Sequence, residues 1–203
     1  MKANKVVSVA FIALALGGCV SSKSYVDPKY KEVSYSDVSR VQDLYGVRVN
    51  VDFQRNGKSL PAVNNELRSS VERVFRASGV VIPTTGATDL DIKVTCNNVA
   101  DMGGAATKGA GTGLTLGLVG TAVTDIYQVT IEFRQGGELI TKRYDHAIHT
   151  TIGNKASPVQ GAAPTSPANA FSGVVEDVIL QFLKEMQQKD VLTFNELVFR
   201  NRA

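Results

Sequence analysis

The sequence predicts a two-layer α+β domain: one mainly antiparallel sheet of about four to five strands, with two helices packed on one face. Three patterns lead there. Several segments alternate apolar and polar residues, the period of a strand with one buried face. Two longer segments repeat apolar residues at helical spacing. Their order is strand, helix, strand, glycine-rich insert, strand, strand, helix. Each strand then has one apolar face, and one sheet with helices on a single side covers it.

Residues 47–53 form the first strand, with Val47, Val49, Val51 and Phe53 on one face and Arg48, Asn50 and Asp52 on the other. Asn56-Gly57 ends it. Over 61–78, Val63, Leu67, Val71, Val74 and Phe75 recur at helical spacing, with Pro61 near the start and Gly79 just past the end. Residues 80–82 read as a short edge segment stopped by Pro83. Residues 89–95 alternate again and put Leu90, Ile92, Val94 and Cys96 on one face, so Cys96 is most simply a small buried apolar group. The strand at 127–134 is followed by Gly136-Gly137, a two-residue hairpin signal. The return strand spans about 138–152, with Ile140, Tyr144, His146, Ile148 and Ile152 facing inward. A loop rich in Gly, Ala, Pro and Ser covers 153–166, and Ser166-Pro167 opens the second helix. Phe171, Val174, Val175, Val178, Phe182 and Met186 form its apolar stripe. Residues 190–203 fit a short helix or a closing strand equally well.

The insert near 103–124 has glycines at 103, 104, 109, 111, 113, 117 and 120. A phosphate loop is disfavoured, because no Gly-Lys-Ser/Thr ending follows. Gly109, Gly113 and Gly117 sit four apart, as in close-packed membrane helices, but 16 uncharged residues fall short of the roughly 20 that span a bilayer. Leu114, Leu116 and Leu118 alternate with Thr115, Gly117 and Val119, a period of two that favours a flexible loop leading into an extended strand. Those three leucines are the candidate contact with a partner or a membrane.

No catalytic or metal-binding set stands out, and no cofactor is implied. His146 and His149 are three apart in a strand and point to opposite faces. His146 is expected as a satisfied core residue, and His149 as solvent-facing beside Arg143 and Asp145. Asp89 and Asp91 share an outer strand face, where carboxylates are usually solvated. No serine lies in a Gly-x-Ser-x-Gly turn.

The amino terminus points to a location. Lys2 and Lys5 precede an almost wholly apolar run over 6–16, and Leu16-Gly17-Gly18-Cys19 follows. This is the layout of a secretory signal, too short to be a spanning helix. The block resembles the lipobox of bacterial lipoproteins. That resemblance implies cleavage between Gly18 and Cys19, a diacylglyceryl group on the Cys19 thiol, and acylation of the new amino terminus by a fatty chain such as palmitate. It implies no inner-membrane retention signal either, because Val20 rather than Asp follows the cysteine. The outer membrane of a Gram-negative host is then the address, with the domain facing the periplasm; in a Gram-positive host it would be the cell membrane.

Removal of the signal peptide, residues 1–18, leaves 185 residues and takes away two lysines, so a net charge of +3 becomes +1. A near-neutral body makes no electrostatic case for nucleic acid. Residues 19–45 are read as a lipidated cysteine followed by a polar tether, whose 26 residues would reach about 30 Å. Residues 46–203 are read as the single folded domain. The lipobox, tether, strand–helix–strand, hairpin and closing helix, with the tail Arg200-Asn201-Arg202-Ala203, resemble the YajG-type envelope lipoproteins, although the insert departs from that layout. The function expected is a non-enzymatic, membrane-anchored envelope assembly or accessory factor that binds an envelope protein. The alternatives are a membrane-inserting or pore-associated oligomer that uses the insert, and, more weakly, an envelope hydrolase assembled only by folding. The oligomeric state is not legible.

Overall fold

The computed structural model describes residues 22–100 and 121–192. The expected signal segment 1–18, Cys19, the insert leucines 114, 116 and 118, and the tail from 193 lie outside the described residues. The class is α+β, as the alternation and helical periods imply. Over the described residues the sheet is larger than expected, with seven strands, and is mainly antiparallel with two parallel pairings.

Strand β1 (Ser22–Val26) comes first, and β2 (Tyr45–Arg55) extends the predicted 47–53 strand by two residues at each end. Val47, Val49 and Phe53 are buried, while Arg48 and Asn50 are exposed. Asn56 and Gly57 take φ of 50° and 76°, the left-handed pair that suits a two-residue hairpin turn. The turn returns the chain into β3 (Lys58–Ser59), a two-residue strand too short to leave a period in the sequence. A 3-10 turn at Pro61–Val63 then leads into helix α1 (Asn64–Ser78). Asn64 Oδ1 accepts a hydrogen bond from the Phe53 amide at 2.7 Å and ties the helix start to β2. Leu67, Val71, Val74 and Phe75 are fully buried. The helix stops at Gly79, where φ is 69° and a Cβ would stand 2.8 Å from Arg40 Cγ.

Strand β4 (Val81–Pro83) pairs parallel with the start of β2, and β5 (Leu90–Ala100) runs parallel to the rest of it. Strands β6 (Thr121–Gln135) and β7 (Glu138–Ile152) form a long antiparallel hairpin through Gly136 and Gly137, both at positive φ. Helix α2 (Pro167–Gln188) is capped by Ser166, whose Oγ accepts from the Asn169 amide at 3.2 Å. All six residues of its predicted stripe are buried. The path across the sheet is β1-β7-β6-β5-β2-β3, and both helices cover the face that carries Val49, Ile92, Val94, Ile131 and Phe133. Phe182 packs edge-on against Phe133 with ring centroids 6.2 Å apart. The other face is polar and carries the Arg48–Asp91 and Lys93–Glu132 ion pairs.

The expected tether over 19–45 is corrected by the structure for every described residue of it, and the domain does not begin near Gly46. β1 pairs antiparallel with the last turnless stretch of β7, Ser22 opposite Ile152 and Val26 opposite Ile148. The chain then runs along α2 as a strap. Lys31 approaches Asp177 at 4.0 Å, Gln181 donates to Glu32 at 3.2 Å, Lys184 approaches Asp37 at 3.9 Å, and Gln187 bonds the Ser39 backbone. The Val41 amide donates to the Gly79 carbonyl at 3.0 Å and closes the strap onto the end of α1. Tyr25, Val33 and Val38 are each about 5% exposed. These three anchors are too far apart to give a period, and several of the polar residues between them bond to α2.

Candidate functional site

Two features of the fold converge at one end of the sheet. Ser22 and Thr121 both stand opposite Ile152, on either side of β7. Two strand spacings of about 4.8 Å separate them, so the chain leaving the amino terminus and the chain leaving the insert lie about 10 Å apart. β5 enters the insert from the same end. This is called the insert end below. The opposite end carries the β6–β7 turn.

Just inside the insert end, both histidines hold the strap. His149 Nε2 lies 3.2 Å from Asp27 Oδ2, and its Nδ1 lies 2.9 Å from Thr124 Oγ1. Its side chain is only 14% exposed, so the expectation of a solvent-facing His149 is corrected. The cause is β1: Tyr25 stands opposite His149, and Asp27 follows directly after the strand. Arg143 and Asp145, expected to share that face, are exposed. His146 is buried, as its place on the apolar face implies. Its Nδ1 accepts from the Ala147 amide at 2.9 Å, which leaves the proton on Nε2, 3.2 Å from Asp177 Oδ2. The Tyr30 ring covers His146 at a centroid distance of 5.1 Å. Sequence reasoning missed Asp27, Tyr30, Lys31 and Asp177. One signal for Asp177 was available: it falls three residues after Val174, inside the apolar sector of α2, where a carboxylate needs a buried partner.

Burial alone pushes the Asp27 carboxyl upward. The Lys29 amide, the His149 ring and the Lys29 charge outweigh it and hold the group below its usual value of 3.8. A carboxyl lowered in the folded state stabilises that state above the unfolded value and stops doing so as pH falls through the folded value. Strap attachment is therefore expected to weaken below about pH 4. Hydrogen exchange of the β1 amides should quicken over that range in the native chain. In D27N the amides should already exchange faster at neutral pH, with a flatter acid response.

Thr124, His149 and Asp27 line up as a hydroxyl, an imidazole and a carboxylate, the order of a nucleophile, its base and the group that orients the base. Cys96 is fully buried between Phe53 and Val129 in the register, and burial pushes its thiol up to about 12, so no thiolate forms near neutrality. Tyr144 has a buried hydroxyl with no hydrogen bond of good geometry; Glu185 lies near it but is engaged by Lys142. Asp91 is paired with Arg48 at 2.9 Å, and Asp89 is exposed. A shallow depression of about 380 Å³ lined by Asp37, Arg40, Lys184 and Gln187 lies against the strap, remote in the fold from Cys96 and both histidines. No group of three or more His, Cys, Asp or Glu among the described residues could hold a metal, and no described helix is long and apolar enough to cross a membrane.

No family model matches the chain, and no curated protein matches it. Solved structures do. The chain is similar to a single-residue variant of the PelC dodecamer from Paraburkholderia phytofirmans, with 16% identity over 73% of this chain and 93% of that one, and a TM-score of 0.36. A second PelC dodecamer from the same organism shares 12% identity over 82% and 96% of the two chains, with a TM-score of 0.35. A minor lipoprotein from Acinetobacter baumannii shares 13% identity over 73% and 91%, with a TM-score of 0.33.

Proposed function

We propose that this chain is an outer-membrane lipoprotein, held by lipid at Cys19, whose domain serves as a non-enzymatic envelope assembly or accessory factor. The lipobox-like Leu16-Gly17-Gly18-Cys19 supports the anchor. The observation that carries the reading furthest is the shared register of Ser22 and Thr121 opposite Ile152. Cys19 stands three residues before Ser22, a reach of about 10 Å when extended. The domain is therefore held against the bilayer rather than about 30 Å from it. Thr121, where the chain rejoins the sheet after the insert, lies at that same end, and Leu114, Leu116 and Leu118 are the residues we propose for contact with a partner or the lipid surface. Restriction to one surface raises the effective concentration of such a binder without a new contact.

Two measurements test this. Mass spectrometry of the mature chain should find Cys19 as the first residue, bearing fatty chains; an unmodified thiol or an intact leader rejects the anchor. In-cell crosslinking from probes at Leu114, Leu116 and Leu118 should capture an envelope protein or lipid several-fold more than a probe at Arg68. Equal capture from both rejects the insert as the contact. Resistance of a secreted C19A chain to carbonate extraction would favour membrane insertion instead.

A further inference from the structure

We infer that Thr124 is a nucleophilic hydroxyl that takes the acyl group of an ester, with His149 as its base and Asp27 as the group that positions the base. The inference goes beyond the reading above and does not depend on the anchor. One acyl group added to one side chain requires no turnover, so the assembly reading stands with or without it. The three side chains come from neighbouring strands. Thr124 in β6 stands directly opposite His149 in β7, and Asp27 follows the end of β1, on the other side of β7. Parity along β6 puts Thr124 on the face opposite that of Ile131 and Phe133, the face the helices leave open. Asp27 Oδ1 accepts from the Lys29 amide at 3.1 Å, and Lys29 Nζ lies 3.8 Å from Oδ2, so the carboxylate is fixed in place and kept ionised. An ionised carboxylate only accepts hydrogen bonds. His149 Nε2, 3.2 Å from Asp27 Oδ2, therefore carries the imidazole proton, and Nδ1 keeps its lone pair. Thr124 Oγ1 lies 2.9 Å from Nδ1 and donates to it. The His149 and Asp27 side chains are only 14% and 10% exposed and have little room to turn away, whereas Thr124 is exposed. A shielded base held in one tautomer beside an open hydroxyl is the arrangement that activates a weak nucleophile.

In the step, Thr124 Oγ1 attacks the carbonyl carbon of the ester while its proton passes to His149 Nδ1. The tetrahedral adduct collapses, the bond to the alcohol oxygen breaks, and the imidazolium gives the proton to the departing alcohol. The products are an acyl ester on Thr124 and the free alcohol, and no oxidant or further reactant is consumed. The neighbouring side chains favour an aliphatic acyl group. Ile126 lies two residues from Thr124 on the same face, and exposed Val99 of β5 stands opposite Ile126. Together they form an apolar strip beside the hydroxyl.

The test mixes the full chain with p-nitrophenyl butyrate at neutral pH and quenches it in acid. Nitrophenolate should appear as a stoichiometric burst, and peptide mapping should place a butyryl group on Thr124 as an ester that hydroxylamine removes. Amides formed on surface lysines resist that treatment, and buried Cys96 does not compete. T124V should lose the burst and the adduct while its melting temperature stays close to that of the parent, and T124S should keep both. H149A should slow the burst about a hundredfold or more, and added imidazole should restore part of it. In D27N acylation should slow, and nitrogen-15 spectra should show the His149 proton shared between the two ring nitrogens, a change that a merely structural Asp27 would not produce. Nitrophenolate release that is equal in the parent and T124V, or butyryl groups on lysines alone, overturns the inference and leaves the anchor and the assembly reading as they stand. A native His149 with its proton on Nδ1 overturns the assigned base, and the inference with it.

Discussion

A chain from which residues 22–45 have been deleted is expected to lose cooperative unfolding altogether. Were this stretch a tether, its removal would be neutral. Three of its side chains, Tyr25, Val33 and Val38, sit in the interior. Burying each contributes about 1.5–3 kcal/mol, so their joint loss costs about 5 kcal/mol or more. That is comparable to the whole stability of an ordinary domain, about 5–15 kcal/mol. The deletion also strips the partner from β7 over 148–152 and leaves both Asp177 and His149 without the strap groups that face them. Circular dichroism melts decide the matter. A sharp transition within a few degrees of the parent would mean that the strap contributes little, and the tether reading would return.

The second large effect is expected at the buried His146–Asp177 pair. D177L should destabilise by about 3–5 kcal/mol, because it leaves the imidazole proton without an acceptor inside the domain. At about 2–4 °C per kcal/mol for a domain of this size, the melting temperature should fall by about 10 °C. H146L should cost a similar amount, since it strands Asp177 with only distant Lys31 and removes the ring under Tyr30. The combined variant H146L/D177L should recover much of the loss, since neither polar group is then left unpaired. Urea midpoints of the four proteins complete the cycle. Strict additivity of the two single losses would show that the pair is not coupled and that each residue acts through packing alone.

The parts of the fold legible in the sequence are those that obey a local period. β2, β5 and β7 alternate because one face of each meets the helices. α1 and α2 repeat at helical spacing because one side of each meets the sheet. Their ends were legible through Gly79, Ser166 and Gly136-Gly137, where turn and cap geometry demands particular residues. The short β3 was hidden behind its own Asn56-Gly57 turn. β1 was hidden for another reason: Ser22-Lys23-Ser24-Tyr25-Val26 is mostly polar, yet its backbone completes the edge of β7 and Ser24 Oγ bonds Thr150 Oγ1 at 2.9 Å. Hydrogen bonding along a strand is sequence-blind, so a polar segment can be as firmly placed as an apolar one.

The same contrast holds for the site. The assignment of His146 to the core follows from its parity in β7, while the burial of His149 depends on Asp27, 122 residues away in the chain. By itself the sequence determined the α+β class and the inward stripes of the strands and helices, because each of these is written in neighbouring residues. Only the tertiary structure decided that residues 22–45 are a strap, that both histidines hold carboxylates, and that Ser22 and Thr121 share one end of the sheet. Those facts depend on strand order and register, which are set by the packing of the whole chain rather than by any one segment of it.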